Sequence, residues 1–388
     1  MYLQLIPTEL IKKILCRLRL RSFIRMEQVS KFFMNVIQTS YWNGILSLPQ
    51  TDNLDRILQT HKFASYDLPN DTTDTHVKLL THCKSFFLTY NGNVTDDGLS
   101  TLTNLTELGL GGSTRITSEC FKNFPKLINL SLSSSNVDMF STRFQYLTNL
   151  NTLVIKYSTN VPSDIKLLTN LTDLSFEYCQ LTYIDLSFYK NLHTLNISRA
   201  SINNRTIQSL NCLNLSDLDI SHNSIGNKGL QHLTKFTNLC HLNLSGTSKI
   251  NDDHLQLLNH TKLQTLHLTE CTFVEGENLR LFVNLRELYL NDCRRIDNNV
   301  VASLTDLSEL RILSLSKCKK ISLVSLWLLE NCRNLQTVYV YKCNRIDTDD
   351  ILLLEQHHKL KFKVNFVDKG CLDTDESDES LSFDTDDY

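Results

Sequence analysis

The frame Leu-x-x-Leu-x-Leu recurs along the chain, and no other property of the sequence limits the fold as tightly. Its copies begin at Leu105, Leu127, Leu150, Leu171, Leu192, Leu215, Leu239, Leu263, Leu285, Leu310 and Leu335, at successive offsets of 22, 23, 21, 21, 23, 24, 24, 22, 25 and 25 residues. A degenerate copy starts at Cys83, with Phe86 and Leu88 in the apolar slots, and Phe362-Lys-Val364-Asn-Phe366 reads as a closing strand. Leucines two residues apart point to the same side of a short strand. One such strand cannot bury its apolar side alone, so successive copies must stack. Stacking makes a parallel sheet, and the rest of each unit returns along the outside. The predicted fold class is α/β: a solenoid with a parallel inner sheet and helices or turns on its convex face.

The residues after each strand fit this scheme. Eight places beyond the first leucine stands a thiol (Cys179, Cys271, Cys293, Cys318, Cys343) or a small polar residue (Ser113, Ser135, Asn223, Thr247). This slot turns the chain inward, where little room remains between coils. Ile250, Ile296, Ile321 and Ile346 then plug the core. Asn251, Asp297, Ser322 and Asp347 follow as N-cap types, which predicts short convex helices, best formed in the C-terminal copies. The blocks Leu310-x-x-Leu-x-Leu-x-x-Cys318-x-x-Ile321 and Leu335-x-x-Val-x-Val-x-x-Cys343-x-x-Ile346 resemble the cysteine-containing leucine-rich repeats. The resemblance spans about residues 83–367 and is specific, because so many copies agree.

Residues 1–46 have a different rhythm. Pro7 stands at a helix start, and Leu10, Ile11, Ile14, Leu15 and Leu18 recur at helical spacing. Met26, Val29, Phe32, Phe33, Val36 and Ile37 form a second such stretch, followed by Tyr41-Trp42. The signature Ile6-Pro7-x-Glu9-Leu10, Ile14-Leu15-x-x-Leu18, Val29-Ser30-Lys31-x-Phe33 and Trp42 resembles an F-box. That family docks on a Skp-type adaptor carried by a cullin scaffold in a ubiquitin ligase. The resemblance therefore implies that Pro7, Leu10, Ile14, Leu18, Val29 and Trp42 are the adaptor-docking or module-core residues. The expected organisation is a helical F-box-like module at 1–46, a linker leading into the solenoid at 47–82, repeats at 83–367, and an acidic segment at 368–388.

Composition excludes several other classes. Twelve cysteines lie between Cys16 and Cys371 without a CxxC pair, and Pro7, Glu9, Lys12 and Lys13 interrupt any signal-peptide core. The expectation is a cytoplasmic protein with reduced thiols, with no membrane span and no membrane partner. From Asp373 to Tyr388 there are eight acidic residues and no basic one, a composition expected to stay disordered. No basic run of the kind that tracks nucleic acid occurs. Phosphate-loop, HExxH, GxSxG and metal-ligand spacings are also lacking, so neither an enzyme, a metal nor a cofactor is expected. Cys371-Leu-Asp373 resembles the Cys-x-Asp signature of bacterial ligases that carry leucine-rich repeats, but only 15 residues follow it, too few for a catalytic domain.

The expected function is capture of a protein by the concave face, as the substrate-recognition subunit of a Skp–cullin–F-box ubiquitin ligase. The alternative is a ligase-independent scaffold or decoy. Residues two, four and six places after each first leucine point away from the core. They include Asp173, Glu177, Asp217 and Asp219, then His241, His267, Glu287 and Tyr289, then Tyr339 and Tyr341. An acidic centre favours a target with a basic segment, and tyrosines suit an interface anchor.

Overall fold

A computed structural model describes residues 41–47, 54–60, 62–133, 144–357 apart from positions 160, 182, 248, 260 and 261, and residues 361–363. Among these residues, strands β1 to β15 form one sheet in strict chain order, each pairing in parallel with the next. They are β1 (Tyr41–Ser47), β2 (Lys62–Leu68), β3 (Ser85–Thr89), β4 (Glu107–Gly111), β5 (Asn129–Ser133), β6 (Thr152–Lys156), β7 (Asp173–Glu177) and β8 (Thr194–Asn196). Shorter strands follow: β9 (Asp217–Asp219), β10 (His241–Asn243), β11 (Thr265–His267), β12 (Glu287–Tyr289), β13 (Ile312–Ser314), β14 (Thr337–Tyr339) and β15 (Lys361–Lys363). This is the solenoid that the repeat frame predicts.

From β2 onward register carries the frame from coil to coil without a slip, the one shift in the described sheet lying between Trp42 and Ile45 of β1. Leu174, Leu195, Leu218, Leu242, Leu266, Leu288, Leu313 and Val338 pair in one row, all of them buried. Burying such a side chain contributes about 1.5–3 kcal/mol, and each row gains only if its neighbours are present. Larger rings fill the space between sheet and convex wall. Phe124, Tyr189, Phe236 and Phe282 each stand three places before a first leucine, and all are buried. Tyr189 keeps its hydroxyl satisfied by donating to the Ile165 carbonyl at 3.0 Å.

The convex wall depends on coil length. Coils of 24 or 25 residues, starting at Leu215, Leu239, Leu285 and Leu310, return through α-helical turns at Asn227–Gln231, Asp252–Gln256, Asn298–Ser303 and Leu323–Leu328. Coils of 21 or 22 residues, starting at Leu105, Leu150 and Leu263, use 3₁₀ turns at Ser118–Asn123, Ser163–Leu167 and Leu279–Leu281. A 3₁₀ turn rises about 2.0 Å per residue against 1.5 Å for an α-helix, so it spans the same return path with fewer residues. Asn251 and Asp297 cap their helices as expected. Ser322 does not. Its hydroxyl accepts instead from Asn298 Nδ2 at 2.9 Å, tying two neighbouring coils together.

The sheet begins earlier than the repeat frame indicates. The stretch 47–82, expected as a linker and entry to the solenoid, contains a helix at Leu54–Thr60 and strand β2, in which Phe63, Tyr66 and Leu68 are buried. Tyr66 pairs with Phe86 and Leu68 with Leu88, so Phe63-x-x-Tyr66-x-Leu68 is a coil with aromatics in two leucine slots. Residues 41–46, expected within the helical module, belong to β1, where Trp42 pairs with Phe63. The backbone there is committed to the sheet, and a strand cannot also be a docking helix. Pro7, Leu10, Ile14, Leu18 and Val29 lie outside the described residues, as does the acidic segment 368–388. At the far end β15 closes the sheet, with Phe362 in register with Val338.

Candidate functional site

The concave face is built from the strand residues that alternate with the buried ones. Because the register does not slip between β6 and β14, these residues form two continuous rows. One runs Thr152, Asp173, Thr194, Asp217, His241, Thr265, Glu287, Ile312, Thr337. The other runs Val154, Ser175, Asn196, Asp219, Asn243, His267, Tyr289, Ser314, Tyr339. Most members are half-buried.

Six of the expected site residues come together across β9 to β12. His241 Nε2 lies 3.9 Å from Asp217 Oδ1, and Asn243 Nδ2 donates to Asp219 Oδ2 at 2.9 Å. Asp219 also accepts from the Ser221 backbone N–H at 2.9 Å, and the Ser216 hydroxyl donates to Asp217. His267 stacks on Tyr289, with ring centroids 4.2 Å apart and 2° between planes. The Tyr289 hydroxyl donates to Glu287 Oε2 at 3.0 Å. Burial, with Glu287 beside it, pushes the Tyr289 phenol up to about 12. Burial likewise lowers the His267 pKa, although Asp219 and Glu287 pull it the other way. The cluster thus presents carboxylates held by hydrogen bonds beside a rigid, neutral aromatic pair.

The remaining expected residues sit apart from this cluster. Glu177 is paired with Lys156 Nζ at 2.6 Å on the adjoining strand, so its charge is offset locally. Asp173 accepts from the Thr172 hydroxyl at 2.5 Å, and β8 separates it from Asp217. β13 lies between Tyr289 and Tyr339. Tyr341 stands at the turn after β14, with Lys342 Nζ 5.0 Å from its ring centroid. The acidic centre is therefore narrower than expected, resting on Asp217 and Asp219.

One row was not foreseen. Among the described residues, the backbone adopts positive φ seven places after the first residue of the frame: Tyr90, Gly112, Tyr157, Tyr178, Arg199, His222, Gly246, Glu270, Asp292, Lys317 and Lys342. These residues extend the ladder past the strands. Tyr157, Tyr178, Arg199 and His222 each donate a backbone N–H to the next coil, to Glu177, Ser198, Ser221 and Ser245 respectively. For a residue other than glycine this conformation costs of order 1–2 kcal/mol. The reward is a row of large exposed side chains along the rim. Tyr157 and Tyr178 stack at 4.9 Å, Arg199 lies 5.3 Å from the Tyr178 ring centroid, and Arg199 Nη2 is 3.4 Å from His222 Nε2. Gly246 is required next in line: besides its φ of 65°, an added Cβ would meet His222 Nδ1 at 2.2 Å. The clue in the sequence is the return of tyrosine at Tyr90, Tyr157 and Tyr178, always at the same distance from the coil start.

The cysteine slot is structural. Cys271, Cys293, Cys318 and Cys343 each donate Sγ–H to the preceding coil, to the carbonyls of Leu244, Leu268, Leu290 and Leu315 at 3.0–3.3 Å. Burial raises all four thiols, with Cys271 and Cys318 pushed up to about 12 and Cys343 to about 11. A thiol held protonated is a poor nucleophile and a poor ligand. Among the described residues, no cluster of three His, Cys, Asp or Glu side chains is placed to hold a metal ion, and no helix is long and apolar enough to cross a membrane.

No family model matches the chain, and no curated protein matches it in sequence. Solved structures do match. The internalin InlF from Listeria monocytogenes is 19% identical, over 76% of this chain and 83% of that one, with a TM-score of 0.46. The functional domain of InlJ from the same organism, described as including a cysteine ladder, is 18% identical over 76% of this chain and 64% of that one, with a TM-score of 0.50. The chain thus spans less than two thirds of the InlJ domain. The likeness is one of fold: this chain is a leucine-rich-repeat solenoid.

Proposed function

We propose that the chain is a protein-capturing receptor whose concave face holds a target presenting a basic segment, and that residues 1–40 deliver the target to a Skp–cullin ubiquitin ligase. The observation that carries the first half is the cluster on β9 to β12, where Asp217 and Asp219 adjoin the rigid His267–Tyr289 pair. Such a surface offers charge for steering and a stacked ring pair for buried contact area. The second half rests on the F-box resemblance of the N-terminal sequence. The mechanism is proximity: holding a target lysine near a charged ubiquitin carrier raises its effective concentration, with no chemistry in this chain.

Co-purification separates the two halves. The full chain is expected to retain the Skp-type adaptor and cullin, whereas a chain lacking residues 1–40 loses both and keeps the circular-dichroism spectrum of the folded sheet. Adaptor retained after the deletion overturns the ligase assignment. A second reading, a ligase-independent scaffold or decoy, is favoured by one observation. Trp42, which the resemblance assigns to the docking module, stands on β1 as part of the sheet. Under that reading neither protein associates with the adaptor, and target capture is unchanged by the deletion.

A further inference from the structure

Three consecutive turns near the C-terminal end of the solenoid carry seven exposed cations. Arg294 and Arg295 follow β12, Lys317, Lys319 and Lys320 follow β13, and Lys342 and Arg345 follow β14. The frame stacks them: Arg295, Lys320 and Arg345 share one position of the coil, and Lys317 and Lys342 share another. Coils lie about 4.8 Å apart, so like charges repeat within a Debye length and build a positive field along this edge. Among the described residues, Arg295 is the one member with a carboxylate in ion-pairing range, Glu275. The acidic groups on the same turns are Asp292, Asp297 and Asp347. Two of these are occupied as helix caps, Asp297 accepting from the Asn299 and Val300 N–H groups and Asp347 from Asp350 N–H at 2.9 Å.

Topology decides what reaches this edge. All strands run the same way, so the turns that follow them lie at one edge of the sheet. The chain leaves Lys363 of β15 toward that same edge, one coil beyond the turn that carries Lys342 and Arg345. The turns after β12, β13 and β14 therefore start about 5 to 15 Å away, at the usual strand spacing. Nine residues, 364–372, separate β15 from Asp373, where a run of eight carboxylates without a basic residue begins. Nine residues reach about 30 Å when extended, enough to bring the run over all three turns.

We propose that the acidic run 373–388 is the occupant of this basic edge, an intramolecular polyanion lying across the turns after β12, β13 and β14. Eight carboxylates answer seven cations, one of them already paired with Glu275. Attachment makes the match effective, because a tethered run of this length competes at an effective concentration of about a millimolar.

Zero-length carbodiimide coupling of the full chain tests this, since it joins carboxylates only to amines already in contact. Peptide mapping of the monomer band at low salt is expected to link residues 373–388 to Lys317, Lys319, Lys320 and Lys342. These links are expected to disappear at about 1 M salt, where the screening length falls to about 3 Å. Links confined to dimers, or spread equally to lysines such as Lys122, Lys166 and Lys228, overturn the proposal. A second measurement uses polyglutamate as the probe. A variant with all eight carboxylates of the run converted to amides should bind polyglutamate at least ~10-fold more tightly than the full chain, because the tethered competitor is gone. Adding K317Q, K319Q, K320Q and K342Q to that variant should abolish the gain. Equal binding by the full chain and the amidated variant overturns the proposal as well.

Discussion

The slot that ends each strand shows how one side chain decides whether a coil closes well. Asn223 fills it with five hydrogen bonds. Its Nδ2 donates to the carbonyls of Ile197, Ile220 and Ser221, and its Oδ1 accepts from the N–H groups of Ala200 and Ile202. Thr247 fills the same slot one coil later, and among the described residues its buried hydroxyl has no partner. A buried polar atom left unpaired costs about 1–3 kcal/mol, whereas an apolar group of the same shape costs nothing there. N223A should therefore lower the unfolding free energy by about 3 kcal/mol, since it orphans two buried N–H groups. T247V should raise it by about 1 kcal/mol by the same reasoning. Urea titrations of both variants decide the matter, and a Thr247→Val variant less stable than the parent would mean that the hydroxyl has a partner. The slot is readable in the sequence because its residue types are few. Which occupant leaves an atom unpaired is not, because that depends on carbonyls supplied by the preceding coil.

Neighbouring strands create properties that neither has alone. His267 of β11 loses solvent to the Tyr289 ring of β12, and burial lowers its pKa; His241 of β10 acts in the same direction, and Asp219 and Glu287 against it. The folded state thus binds the proton less readily than the unfolded chain, whose imidazole titrates near about 6.5. The stability involved is fully present above that value and is lost as the pH falls through the depressed folded value. Between about pH 7.5 and 5 the urea midpoint should fall, and H267Q should fall less steeply. His82, His222 and His254 are lowered by burial too and add to the slope. A slope unchanged by H267Q would sink this account. Strands were the best-anticipated elements, since leucines at fixed spacing report burial directly. The early coil Phe63-x-x-Tyr66-x-Leu68 escaped notice because tyrosine and phenylalanine serve the core as well as leucine does. The rim row escaped because nothing in a tyrosine's identity announces a left-handed backbone.

Across the whole solenoid, charge is distributed unevenly, and this sets the expected behaviour of target capture. On the concave rows Asp217 and Asp219 stand together on β9 near the middle of the described sheet, while Glu177 is offset by Lys156. D217K combined with D219K should weaken capture of a basic target by about 10-fold or more at low salt, and by much less where screening is strong. Binding measured at two ionic strengths checks this. Capture that survives the reversal at low salt moves the search to the Tyr157–Tyr178–Arg199 rim. The acidic rows were foreseen from the frame, whereas the neutralising Lys156 was overlooked although it sits in the same frame position one coil earlier.

The even register from β2 to β15 has a consequence for what kind of partner can lie along the solenoid axis. Functional groups recur along each concave row about every 4.8 Å. An extended segment repeats its same-side chains about every 6.6–6.8 Å, and a helix advances about 5.4 Å per turn. Neither period is commensurate with the sheet, so the two patterns behave as a vernier, in phase at a few separated points and out of phase between them. Partner choice would then be encoded in the distance between coincidences rather than in a repeated motif. Inserting one whole coil between β9 and β12 would shift that distance by about 4.8 Å while leaving every local contact intact.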